Sequence, residues 1–163
     1  MVIRESRISD LEQLTEIYNY EVINGVATLD IREKTLDERR EWFFSHNVDN
    51  HPLIVCETDG RVAGYATLSS YREKEAYSST VELSVYVGHE FRRRGIATRL
   101  MAEILDMARK DERTHNVVSV ITGGNEASVK LHDKFGFTFC GTIPEVGAKF
   151  GRMLDIDNFC LIV

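Results

Sequence analysis

Apolar residues recur along this chain in two rhythms, and the switches between them mark out its elements. Leu11, Leu14, Ile17, Tyr18 and Val22 fall at helical spacing, which puts their side chains on one face. Ser9-Asp10-Leu11-Glu12 at its head has the form of a capping box, in which a hydroxyl and a later carboxylate satisfy free N–H groups. Thr35-Leu36-Asp37-Glu38 repeats that form and predicts a second helix, carrying Leu36, Trp42 and Phe43 and ending near His46. Ile96, Leu100, Ile104, Leu105 and Ala108 mark one face of a third helix. A short fourth, about Glu126 to Phe135, stops at Gly136, a residue type suited to a helix C-terminus.

Between the helices the apolar residues crowd into strand-like runs. Val2 to Glu5 is the first. Leu53 to Glu57 and Val62 to Leu68 flank Asp59-Gly60, a strong hairpin signal. Glu82 to Val87 follows, then the β-branched run Val117 to Ile121, then Phe137 to Cys140 and Leu154 to Ile162. The polar stretch Ser69 to Thr80 is too long for a tight turn and reads as a functional loop. The order β-α-α-β-β-β-α-β-α-β-β predicts an α/β domain, a mixed sheet with helices on both faces.

The chain has 163 residues, most simply one domain over 1–163. It is 43% hydrophobic and 28% charged, the balance of a soluble globular protein. No run approaches the ~18 apolar residues of a membrane span, and Met1 to Ser6 lacks a signal-peptide layout. Cys56, Cys140 and Cys160 are odd in number and far apart, which predicts buried free thiols in a reducing, cytoplasmic setting. No His or Cys spacing suggests a metal site. With 20 Lys+Arg against 26 Asp+Glu, a net charge of -6 argues against a nucleic-acid partner.

One stretch stands apart from that acidic background. Arg92-Arg93-Arg94-Gly95-Ile96-Ala97, followed by Thr98, lies between a strand and the third helix. N–H groups at a helix N-terminus have no intrahelical partner and can hold an anion, and Gly95 lets backbone come close to a phosphate. The spacing is neither that of a P-loop nor of the dinucleotide fingerprint.

Arg92-x-x-Gly95-x-Ala97 resembles the acetyl-CoA motif of the GCN5-related N-acetyltransferase (GNAT) superfamily. Asn125-Glu126-Ala127-Ser128-Val129-Lys130-Leu131-His132-Asp133-Lys134-Phe135-Gly136-Phe137 resembles its second signature. Over nearly the whole chain the sequence is similar to the phosphinothricin and methionine-sulfoximine N-acetyltransferase group. Ile17-Tyr18-Asn19, Ala27-Thr28, Glu82-x-Ser84-Val85-Tyr86-Val87 and Val146-Gly147-x-Lys149-Phe150-Gly151-Arg152 carry that likeness. The resemblance implies a mostly antiparallel GNAT sheet, acetyl-CoA as co-substrate, a small amino-acid-like amine as acceptor, and a homodimer.

It also implies roles residue by residue. Glu82 matches the base that takes a proton from the acceptor ammonium. The backbone of Val85, Tyr86 and Val87 would bond the pantetheine arm, and Arg93 to Thr98 the pyrophosphate. Asn125 and Ser128 match cofactor contacts, Asn125 also reading as a helix cap. His132 stands where most members carry a Tyr that protonates the leaving thiolate, with Tyr86 and Tyr77 as other candidates. Arg72, Lys74 and Lys149, with Glu82, are the acceptor-binding candidates. Leu83 replaces a His of the methionine-sulfoximine enzymes, which leaves the acceptor open. A peptide N-terminal acetyltransferase and a non-catalytic acetyl-CoA sensor are the alternatives. The loop Ser69 to Thr80 is expected to cover the acceptor site.

Overall fold

In the computed structural model, which describes residues 1–163, seven strands form one sheet in the order β1-β2-β3-β4-β5-β7-β6. They are β1 Val2–Glu5, β2 Leu53–Thr58, β3 Arg61–Ser70, β4 Thr80–Val87, β5 Asn116–Thr122, β6 Thr138–Lys149 and β7 Arg152–Ile162. The helices are α1 Leu11–Asn24, α2 Leu36–Phe44, α3 Ile96–Lys110 and α4 Glu126–Lys134. Every neighbouring pair is antiparallel except β4 and β5. No helix is long and apolar enough to cross a membrane.

Strand alternation divides the apolar residues between two faces. Ile54 and Cys56 of β2 face one way with Ala66, Leu68, Val81 and Leu83, under Ile96, Leu100, Ile104 and Leu105 of α3. Val129 and Leu131 of α4, and Phe135 just after it, pack on the same side. Leu53 and Val55 face the other way, with Tyr65, against Leu11, Leu14 and Ile17 of α1 and Phe43 of α2. Helices therefore cover both faces, as the periodicity predicts.

Local signals are realised where nothing distant competes. Asp59 and Gly60 both take positive φ, 52° and 73°, as a two-residue hairpin turn requires. Thr35 accepts from the Glu38 N–H while the Glu38 carboxylate accepts from the Thr35 N–H, the expected box. The box expected at Ser9 is absent. Ile8–Asp10 forms a 3-10 turn, and the Asp10 carboxylate takes the Arg7 N–H at 2.7 Å and a fork from Arg4 at 2.8 and 3.0 Å. An ion pair reaching over from β1 has claimed the group.

Two further expectations are corrected. The strand expected over Phe137 to Cys140 is instead β6 of 12 residues, running to Lys149 and bent by irregularities after Phe139 and after Ile143. Cys140 and Cys160 are neither distant nor both buried. The β6–β7 pairing sets their sulfurs 3.3 Å apart with Cys140 exposed, and only Cys56 is a buried thiol.

Candidate active site

The parallel pairing of β4 with β5 spans only Thr80 to Glu82 against Asn116 to Val118. Beyond Glu82 the two strands part. From Leu83 to Val87, β4 keeps its antiparallel partner β3 but has none on the β5 side. Val85 and Val87 turn their side chains into the core beside α3, so it is their backbone that faces the gap. A cleft of about 930 Å³ opens there, lined by residues from both sides of the fork.

At one end of the gap lies the arginine turn. Arg93 and Gly95 take positive φ, 62° and 75°, which folds the chain back so that α3 starts at Ile96. The first hydrogen bond of the helix is from Arg99 to the Gly95 carbonyl, at 3.2 Å. The N–H groups of Ile96, Ala97 and Thr98 are left without a backbone acceptor. The Ile96 side chain itself is core. Arg93 and Arg94 are exposed, and the Arg92 guanidinium pairs with the Glu21 carboxylate. Asn125 caps α4, its side-chain oxygen accepting from the Ser128 N–H at 3.3 Å, and both residues line the cleft.

Glu82 sits at the apex of the fork, paired across β3 with Ser69 and across β5 with Val118. It faces the cleft with neither an ion pair nor a hydrogen bond, and burial alone pushes its carboxyl up from the ordinary range. Such a group gains most from a cationic or proton-bearing ligand.

Of the other candidates, His132 lines the cleft, whereas Arg72, Lys74 and Lys149 do not. His132 is 5% exposed, and both its nitrogens are engaged. Nδ1 lies 2.8 Å from the Ser128 carbonyl, to which it can only donate, so Nε2 accepts from the Ser119 hydroxyl at 2.8 Å. Burial lowers its pKa, which disfavours the imidazolium. Lys149, 4% exposed, donates to the carbonyls of Thr28 at 2.8 Å and Glu21 at 3.3 Å. It ties β6 to the loop after α1 and is outside the cleft lining. Arg72 lies over the rings of Tyr71 and Tyr77, and Lys74 is exposed. Of the Ser69 to Thr80 loop expected to cover the acceptor site, only Ser69, still in β3, lines the cleft.

Sequence reasoning passed over Arg39. It sits in α2 within the charged run Asp37 to Glu41, yet it is 4% exposed and lines the cleft. Its guanidinium carbon is 3.5 Å from the Trp42 ring centre and 4.6 Å from that of Tyr18, and Nη2 reaches the Tyr65 hydroxyl at 3.4 Å. Stacking of this kind is worth about 2 kcal/mol when desolvated. Its Nε has no hydrogen-bond partner.

A sheet forked beside a helix N-terminus, with an unpaired, half-buried carboxylate at the fork, has the layout of an acyl-group transferase. The model of the Acetyltransferase (GNAT) family matches residues 12–137, and the chain belongs to that family. It is similar to a phosphinothricin N-acetyltransferase of Streptomyces coelicolor, 42% identical over 90% of this chain and 87% of that one. An L-methionine sulfoximine/L-methionine sulfone acetyltransferase of Salmonella typhimurium is 36% identical over 96% of this chain and 91% of its own. Among solved structures, a ribosomal-protein-alanine N-acetyltransferase from Brucella melitensis superposes with TM-score 0.96 at 38% identity over 100% of both chains. A GNAT superfamily phosphinothricin acetyltransferase from Sinorhizobium meliloti, in complex with acetyl-CoA, gives 0.94 at 31%, covering 99% of this chain and 88% of that one.

Proposed function

We propose that this protein acetylates the primary amine of a small amino-acid-like acceptor, with acetyl-CoA as donor and Glu82 as general base. The observation that carries the reading is Glu82 itself, an unpaired carboxylate with a raised pKa at the fork of the sheet. The pantetheine arm lies along the open edge of Val85 to Val87, as an added strand would. The pyrophosphate rests on the N–H groups of the turn ending at Thr98, helped by the charge of Arg93 and Arg94.

Glu82 takes one proton from the acceptor ammonium, because only the free amine is nucleophilic. The nitrogen attacks the thioester carbonyl, the N–C bond forms and the C–S bond breaks. The nitrogen's surplus proton balances the departing thiolate. Tyr86 is the lining group we assign to relay it, since burial keeps its hydroxyl protonated and its one contact is long, 3.5 Å to the Ala27 carbonyl.

The homodimer finds support in β6, an edge strand of the sheet that leaves Phe139, Ile143 and Val146 exposed. A peptide acceptor is the second reading, favoured by the uncovered cleft and by the likeness to the Brucella enzyme. Thiol release from acetyl-CoA, followed over methionine sulfone, methionine sulfoximine, phosphinothricin, other amino acids and N-terminal peptides, separates the two. Turnover is expected with the small acceptors; turnover with peptides alone would overturn the proposal.

A further inference from the structure

The hairpin of β6 and β7 carries a pair of thiols outside the cleft, the sulfurs of Cys140 and Cys160, 3.3 Å apart. Cys160 is in register with Thr138, and Phe159 with Phe139, but Asn158 already faces Gly141. Cys140 is therefore the extra residue of a bulge and has no partner of its own across the ladder. The bulge sets its side chain diagonally onto Cys160, and its sulfur also lies 3.4 Å from the Thr138 carbonyl, to which the thiol can donate.

A bulge on an edge strand leaves room for these sulfurs to move. β6 ends the sheet, so no further strand holds its outer side, and Gly141 next to the pair takes a φ of 123°. Closing the pair means bringing the sulfurs from 3.3 Å to the bonded distance of about 2.05 Å. The thiols also differ in access. Cys140 is exposed and Cys160 half-buried, while Cys56, the third, is sealed in the core beneath α3. An oxidant arriving from solvent therefore meets Cys140 first, with Cys160 directly behind it.

We propose that Cys140 and Cys160 are a peroxide-responsive pair, in which Cys140 is oxidised and Cys160 resolves it into an intrachain disulfide. The Cys140 thiolate attacks one oxygen of hydrogen peroxide. An S–O bond forms, the O–O bond breaks, and the other oxygen leaves as water with the thiol's proton. The Cys160 sulfur then attacks the sulfenic sulfur. The S–S bond forms, the S–O bond breaks, and a second water leaves with the proton of Cys160. The two sulfurs give up two electrons, and the two peroxide oxygens take them. An exposed sulfenic acid with no thiol beside it is open to further oxidation, to a sulfinic acid that thiols do not reduce, whereas a disulfide is reversed by thiol exchange. Cys160 thus keeps the oxidation of Cys140 reversible. Both sulfurs belong to one chain, so the bond forms in a monomer as in the proposed homodimer, and independently of acetyl transfer.

The test exposes the reduced chain to millimolar hydrogen peroxide, then alkylates it and maps it by mass spectrometry. Two of the three thiols are expected to be lost to the alkylating reagent. The chain should be lighter by two hydrogens, with one peptide linked through Cys140 and Cys160 and with Cys56 still alkylated. Dithiothreitol should restore both thiols. In Cys160→Ser, Cys140 should instead gain two oxygens that dithiothreitol does not remove. In Cys140→Ser, Cys160 should stay alkylatable at the same dose. Circular dichroism checks the fold of both variants, and the wild-type map decides the matter without them if either fails to fold. A sulfinic Cys140 beside a free Cys160 in the wild type, a disulfide joining two chains, or survival of all three thiols would overturn the proposal.

Discussion

Burial raises the Glu82 carboxyl, and no cation or hydrogen-bond donor offsets that effect. A carboxyl whose folded pKa lies above its unfolded value of about 4.3 holds extra protons in the native state. Stability then falls as pH rises from that value through the raised one, and the loss persists at neutral pH. Glu82→Gln is therefore expected to keep or raise the melting temperature at pH 7 while cutting turnover roughly 10²- to 10⁴-fold, the usual worth of a general base. Melts at pH 5 and 8 beside pH–rate profiles check this, and the acid limb of the wild-type profile should be missing in the variant. A variant that loses stability and keeps the limb would remove Glu82 as the base. The type and strand position of Glu82 were legible in the sequence, because a lone acid in an apolar strand beside an anion cradle is conspicuous. Arg39 was not. Four charged neighbours make it look solvated, and only rings from α1, α2 and β3 make it buried. The contacts of Lys149 were hidden for the same reason: its partners, the Glu21 and Thr28 carbonyls, are more than 100 residues away in sequence.

Elements whose signals are local came through with their boundaries nearly intact. The apolar face of α3 and the Asp59-Gly60 hairpin need only nearest neighbours to declare themselves. The strand β6 does not, since Gly141, Pro144 and Gly147 interrupt its alternation and its continuity depends on pairing with β7. The element-level device that matters most for the cleft is the close approach of β3 to β4 at Gly64. A Cβ there would lie 2.7 Å from the Tyr86 carbonyl oxygen and 3.2 Å from the Val87 Cα. Gly64→Ala must push β4 toward the gap. We expect a loss of about 1–3 kcal/mol in chemical denaturation, the cost of overpacking, together with a raised KM for acetyl-CoA. Unaltered stability and KM would mean that the strands yield at this point.

The whole molecule is a sheet with one well-covered half and one bare end. β6 and β7 form a hairpin whose apolar residues Phe139, Ile143, Phe150 and Met153 remain exposed, and a second copy of the chain is the occupant the dimer proposal names. Light scattering should give about twice the 18.6 kDa of one chain, and Ile143→Lys with Val146→Lys should return it to a monomer; a monomeric wild type at micromolar concentration would dispose of that assembly. The overall architecture was readable because strand and helix order leave few topologies open, whereas the exposed hairpin was not, its length being set by non-local pairing. The fork between β4 and β5 has a consequence outside catalysis. Five residues of β4 keep one ladder empty, and the binding mode proposed above fills it with the pantetheine arm. Whatever binds only the native state protects it, by about 2.7 kcal/mol at a hundred times its Kd. Under that proposal, the supply of cofactor sets how long each copy outlasts proteolysis, as well as how fast it turns over.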